Sequence, residues 1–260
     1  MSSASKTFVY LVQSKGELPV HYSHIESARS DLILLTWKDR LDRAIYLPHS
    51  TWTEGRNRLL EEATRRGLGY LYYIFLDDDI VLEKGDWRLF EQCLLRYRPA
   101  AAAPYAPWYP PSKGSRLDRE AHTCFYFDAM FSAFHRDIVE DRIVLPYYAG
   151  YDQKSWWISQ WLVIHLLHHF FPDHVLQVNR VWAANAQHGD YPKGGDWKPA
   201  RDLLRHSIRD WGLDTPRKLL RKLMHRFAPF REPAKPLASY RISERRKHHE
   251  LNPSSLLWAK

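Results

Sequence analysis

The 260 residues predict an open α/β sheet flanked by helices, and three observations predict it. Short, compact apolar runs recur along the first hundred residues, as strands covered on both faces do. Amphipathic helical stretches with capping signals stand between them. One of the runs, YLYYIFL (Tyr70–Leu76), leads straight into Asp77-Asp78-Asp79. The end of a strand in an α/β sheet is where such carboxylates can leave a buried segment and still face a ligand crevice.

In chain order, KTFVYLVQ (Lys6–Gln13) reads as the first strand, DLILLTW (Asp31–Trp37) as the second and AIYLP (Ala44–Pro48) as a short third. STWTEGRNRLLEEATRRG (Ser50–Gly67) follows, with Ser/Thr capping candidates, a Leu59–Leu60–Ala63 stripe and a closing glycine, and reads as a helix. The strand that ends in the aspartates comes next, with Ile80, Val81 and Leu82 resuming the apolar pattern beyond them. DWRLFEQCLLRYR (Asp86–Arg98) has Leu89, Phe90, Cys93, Leu94 and Tyr97 on one helical face. Residues 100–115 begin as a strand and become a Pro-rich loop, and Cys124–Glu140 reads as a strand leading into a short helix. Trp156–Phe171 is apolar but interrupted by Ser159, Gln160, His165, His168 and His169, too short and too polar to span a bilayer, and reads as a buried helix. No internal repeat is present.

The composition sets limits. At 45% hydrophobic and 14% aromatic residues the chain can bury a large core and is not of a disordered type. Two cysteines, Cys93 and Cys124, are too few for a disulfide framework and read as buried thiols in a reducing compartment. The start lacks a charged segment followed by a long apolar one, so no signal peptide is expected and the localisation implied is cytoplasmic. The formal charge of +8 is uneven: residues 217–250 hold 11 Lys/Arg against three Asp/Glu, and the remainder holds 27 of each sign. The expected organisation is a domain over 1–200 and a basic, helical C-terminal extension over 201–260. Leu219, Leu220, Leu223, Met224 and Phe227 fall on one face of a helix opened by Thr215-Pro216, with Arg217, Lys218, Arg221, Lys222 and Arg226 on the other. Such a helix suits an anionic membrane surface, peripheral on the inner face, or docking on the main domain; no recognition motif accompanies the charge, so no nucleic acid is expected.

Three adjacent carboxylates repel one another, and burying one unpaired is costly. A shared divalent cation relieves the repulsion, and hard oxygen ligands suit Mg²⁺ or Mn²⁺, ions that also hold substrate phosphates. The alternative is a solvated turn. Phosphatases of the haloacid-dehalogenase type use an Asp-x-Asp string that Asp77-Asp78-Asp79-Ile80-Val81-Leu82 satisfies, with the first Asp as nucleophile. Their motif lies on the first strand, however, and here three strands and a helix precede it.

The order strand, strand, helix with Gly55-Arg56-Asn57, then an apolar strand ending in Asp-x-Asp resembles nucleotide-sugar glycosyltransferases of the GT-A type, above all the inverting, polysaccharide-building family. The resemblance spans roughly residues 6–195. It implies a GT-A-like, Rossmann-like mixed sheet flanked by helices. It implies transfer of a sugar from a nucleotide-diphosphate sugar to a hydroxyl of a glycan or glycolipid, dependent on Mn²⁺ or Mg²⁺ and with inversion. Asp77 and Asp79 would hold the metal and Asp77 and Asp78 the donor. A late histidine, His188, with Asp190 as competitor, would be a third ligand, and Arg56 would meet the diphosphate; the other reading of Arg56 is a surface ion pair with Glu61 or Glu62. The chain departs from the family at two strand ends. The first ends in Val12-Gln13-Ser14 in place of a Pro-Thr-type loop, which leaves Gln13 there. The second offers Trp37 and Asp39 where the family reads the base. Inversion needs a general base near the acceptor hydroxyl, and Asp152, before the helix of Trp156 and Trp157, is the candidate; its other reading is the N-cap of that helix. Trp156 and Trp157 offer a stacking face for a sugar, with core packing the expectation for at least one of them. His165 and His169 lack the Glu of a zinc-protease helix and read as helix-face residues. A rival outside enzymes is a basic membrane- or polyanion-binding protein with a degenerate catalytic fold.

Overall fold

The computed structural model describes residues 6–107, 117–152, 155–171, 173–185, 197–210 and 213. Three parallel strands open it: β1 (Phe8–Ser14), β2 (Ser30–Thr36) and the short β3 (Ile45–Tyr46). Helix α1 (Trp52–Arg65) leads into β4 (Tyr72–Asp77), which pairs in parallel with β1. After the acidic turn come β5 (Ile80–Lys84), α2 (Trp87–Tyr97) and β6 (Ala101–Tyr105). Then follow β7 (Ala121–Thr123), β8 (Phe131–His135), α3 (Arg136–Glu140), α4 (Trp156–Phe170), β9 (Val175–Asn185) and α5 (Trp197–Asp210). Among the described residues the sheet runs β3-β2-β1-β4-β8-β6-β9-β5, with β7 on β9. It is mixed: β8 is antiparallel to both β4 and β6, and β6 is parallel to β9.

The patterns of the sequence explain these elements. β1 is buried along its whole length, and its alternation feeds two cores. Val9 and Leu11 join Leu59, Leu60 and Ala63 of α1 and the apolar residues of α4. Phe8, Tyr10 and Val12 join Trp87, Phe90 and Leu94 of α2. Helix α1 opens with a capping box: the Thr51 hydroxyl accepts from Glu54 N–H and the Glu54 carboxylate accepts from Thr51 N–H. Asp86 caps α2 by accepting from Leu89 N–H. Leu204 and Ile208 of α5, with Leu213 beyond it, belong to the core beneath α4, so the boundary expected at residue 200 falls inside a helix packed on the main domain. Among the described residues no helix is long and apolar enough to cross a membrane. The basic stretch 217–250 lies outside them.

Candidate active site

The parallel strands β1, β2 and β4 end along one edge of the sheet, with Ser14 opposite Thr36 and Gln13 opposite Asp77. Asp77, the last residue of β4, sits there, with Asp78 and Asp79 in the turn to β5. Asp77 and Asp78 are held differently. Asp77 Oδ1 accepts from Arg56 Nη2 at 2.6 Å. Asp78 Oδ2 accepts from the Ser14 hydroxyl at 2.8 Å and from Lys15 N–H at 3.3 Å. The turn is also braced from the connection between β1 and β2: the Tyr22 hydroxyl donates to the Asp77 carbonyl at 2.6 Å and accepts from Ile80 N–H at 2.9 Å. Burial raises the Tyr22 phenol far above its usual range, so it stays protonated and able to donate.

Arg56 is not on the surface and does not pair with Glu61 or Glu62. Its side chain is 1% exposed, spent on Asp77, and its guanidinium lies 4.2 Å from the centre of the Trp52 ring. Glu61 and Glu62 pair instead with Arg58, Arg65 and Arg66. Burial pushes the Asp77 carboxyl up from the ordinary 3.8 to about 6. Arg56 opposes this, and the carboxylates of Asp79 and Asp128 reinforce it. Burial is the main cause of the rise; by formal charge, this strand end carries three consecutive carboxylates, Asp77, Asp78 and Asp79, against the guanidinium that pairs with the first of them, an excess that a divalent cation would relieve. Among the described residues no three His, Cys, Asp or Glu side chains form a complete ligand set. Asp77 and Asp79 offer hard oxygens and fit an ion of the Mg²⁺ or Mn²⁺ type, which is ordinarily held by one or two carboxylates and substrate phosphates. His188 and Asp190 lie outside the described residues.

The other predicted positions divide. Gln13 is buried: its amide donates to the Thr51 carbonyl at 3.2 Å and lies against Gly55, where an added Cβ would overlap it. A glycine at 55 is what lets α1 approach β1 this closely. Trp37, one residue beyond β2, is 37% exposed, and its N–H donates to the Ser14 carbonyl at 3.1 Å. Asp39 is exposed, its N–H donating to the Lys15 carbonyl at 2.7 Å and its side chain beside Gly16.

Asp152 does not cap α4, whose N-cap is Ser155. Its carboxylate crosses to the start of α1, where Thr51 Oγ1 donates to Oδ2 and Thr53 Oγ1 donates to Oδ1 at 2.5 Å. Burial raises its pKa, the two hydroxyls pull it down, and Glu54 adds to the rise. The next residues of α1 hold the segment that carries it. Asn57 donates to the Tyr147 carbonyl and accepts from Tyr147 N–H, both at 2.7 Å. Gly55, Arg56 and Asn57 thus admit Gln13, hold Asp77 and fasten the Asp152 segment. Trp156 stacks on Trp52, ring centres 4.6 Å apart, and is packed against the core; the Trp157 side chain lies outside the described residues. His165 and His168 bond to the carbonyls of Leu213 and Phe125. Tyr22, Ser14 and Thr53 are not marked by the sequence, because their partners lie far away along the chain; Asp128, which accepts from Met130 N–H at 2.9 Å, reaches Asp77 only through the fold. The Thr51-x-x-Glu54 capping box was the one local signal.

No family model matches the chain, and no curated protein matches it. Solved structures do. S. aureus TarS 1–349 in complex with UDP is similar at a TM-score of 0.54 and 8% identity, over 85% of this chain and 70% of that one. The same protein in complex with UDP-GlcNAc gives 0.53 and 8%, over 85% and 71%. GalNAc-T7 with UDP, GalNAc and Mn²⁺ gives 0.49 and 9%, over 95% and 59%, a likeness too low to carry an argument. The fold is GT-A-like, a mixed α/β sheet flanked by helices, as the order of strands and motifs predicts.

Proposed function

We propose that the chain is a glycosyltransferase that moves a sugar from a nucleotide-diphosphate sugar to a hydroxyl of a glycan or glycolipid. One observation carries the reading: in a GT-A-like fold, β1, β2 and β4 end along one edge, where three consecutive carboxylates outnumber the Arg56 guanidinium that pairs with the first of them. A fold alone does not fix a function; the chemistry of this edge supports it. That TarS, of the same fold, binds UDP and UDP-GlcNAc supports a donor of that class.

In this reading Trp37 and Asp39 face the nucleotide base, and Asp78, held by Ser14, shapes the donor side of the turn. Asp77 and Asp79, with His188, hold a divalent cation, which when bound neutralises the charge of the leaving diphosphate. Arg56 fixes Asp77 from behind rather than meeting the diphosphate itself. Asp152 takes the proton from the acceptor hydroxyl, and transfer proceeds with inversion.

The test is thermal unfolding with UDP, GDP, dTDP and CMP, each with and without Mn²⁺, on the natural chain and on Asp79→Ala. Binding at a hundredfold excess over Kd adds about 2.7 kcal/mol. One nucleoside diphosphate should stabilise the natural chain in Mn²⁺ and leave Asp79→Ala unmoved. Equal stabilisation of both would remove the metal assignment. Release of inorganic phosphate from a phosphate monoester such as p-nitrophenyl phosphate, with no turnover of a nucleotide-sugar, would point to a phosphatase instead.

A further inference from the structure

We infer that Thr51 and Thr53 are positioning residues that hold the Asp152 carboxylate aimed and ionised at the start of α1. The inference rests on the reading of Asp152 as the base. Both of its oxygens are engaged: Thr51 Oγ1 on Oδ2 and Thr53 Oγ1, at 2.5 Å, on Oδ1. A carboxylate that accepts two hydroxyl donors has its plane fixed, which a general base needs in order to present a defined lone pair to the acceptor.

The donors are themselves fixed. Thr53 is fully buried in the first turn of α1, and the Thr51 hydroxyl that donates to Asp152 also accepts from Glu54 N–H at 3.1 Å. Asn57, one turn on, fastens the main chain of Tyr147, five residues before Asp152. One helix therefore sets the carboxylate and the loop that carries it, and through Arg56 the same helix sets Asp77. The distance between the proposed base and the acidic turn is then a property of α1 rather than of two independent loops.

The charges around Asp152 fit this role. Burial disfavours its ionised form, and Glu54 of α1 does so further. Arg56 of the same helix is turned to Asp77, and the first turn of α4 contributes no acidic group. The two hydroxyls and the positive end of a 14-residue helix act in the opposite sense. Without the hydroxyls, the carboxyl would keep its proton to higher pH and could not accept another.

Thr53→Val tests this, because valine keeps the shape and Thr53 is not the helix cap. Carboxyl ¹³C NMR should show the Asp152 pKa rising by about one unit in Thr53→Val, a tenfold loss of ionised fraction on its acid side. Thr53→Ser should restore it. Hydrolysis of UDP-GlcNAc in Mn²⁺, taken as the probe reaction, should lose roughly tenfold in kcat at the acid end in Thr53→Val, with KM unchanged. An Asp152 pKa equal in the two proteins overturns the inference, even where Thr53→Val lowers the melting temperature, and so does a shifted pKa with an unshifted acid limb. Asp152→Asn is the separate arm: undiminished turnover there rejects the base reading itself.

Discussion

Asp77 carries two loads. As part of the acidic turn it is a proposed cation ligand, and as the partner of Arg56 it balances a guanidinium that is 1% exposed. An asparagine keeps the shape but not the charge, so the sequence alone makes Asp77→Asn look like a binding mutation with little effect on folding. The structure reverses that expectation. Removing one partner of a buried ion pair leaves the other uncompensated and costs about 3–5 kcal/mol, although the 19% exposure of Asp77 puts this site at the low end. Urea unfolding of Asp77→Asn, Arg56→Met and the double variant measures it. Each single change should destabilise strongly, and the double change should cost clearly less than their sum. Additive losses would mean that the pair does not hold the turn.

Helix α1 shows how far the sequence could be read and where it stopped. Its Leu59–Leu60–Ala63 stripe, Ser/Thr capping candidates and closing glycine predicted the element, and Gly55-Arg56-Asn57 carried the resemblance to the family. What each residue grips is long-range: Gly55 meets Gln13, Arg56 meets Asp77 and Asn57 meets Tyr147, 90 residues away. No local pattern encodes such partners. Asp152 illustrates the limit. Standing shortly before a helix it reads as a cap, yet Ser155 takes the N-cap position and Asp152 turns back to α1. β7, with three residues, offered no pattern to read. α5 does carry one, in Leu203, Leu204 and Ile208, next to a basic stretch that masks it in the overall charge pattern. Asn57→Ala is the test of the element. It leaves Tyr147, which is fully buried, without main-chain partners for both its N–H and its carbonyl, and should cost about 2–4 kcal/mol. The denaturant midpoint should fall with the slope unchanged. A shift under about 0.5 kcal/mol, the range of ordinary surface changes, would show that α1 does not fasten that segment.

For the molecule as a whole, two buried groups give the folding free energy opposite slopes in the acid range. Asp77, raised from 3.8 to about 6, keeps its proton in the folded chain where the unfolded chain has lost it, so its contribution is present at low pH and is lost as pH rises through that window. His135 acts the other way. Burial lowers it from 6.5 to about 4; Arg98 and Arg136 push in the same direction, and Asp137 pulls back. Its Nδ1 accepts from Asp137 N–H at 3.2 Å as the N-cap of α3, which requires the neutral ring. Between pH 6.5 and about 4 the unfolded chain binds a proton that the folded chain refuses. Stability from His135 is therefore complete above 6.5 and is lost as the pH falls, by about 2–3 kcal/mol across the window. Because Asp77 partly cancels this slope, the natural chain alone cannot isolate it, and a paired variant can. His135→Asn keeps a side-chain oxygen for the cap and removes the titration. Urea unfolding at pH 4.5, 5.5 and 6.5 should give the natural chain a more positive dependence on pH than His135→Asn, with the two curves converging toward the acid end. Parallel curves would mean that His135 takes up its proton in the folded state as readily as in the unfolded one, and that the acid sensitivity of the fold lies elsewhere.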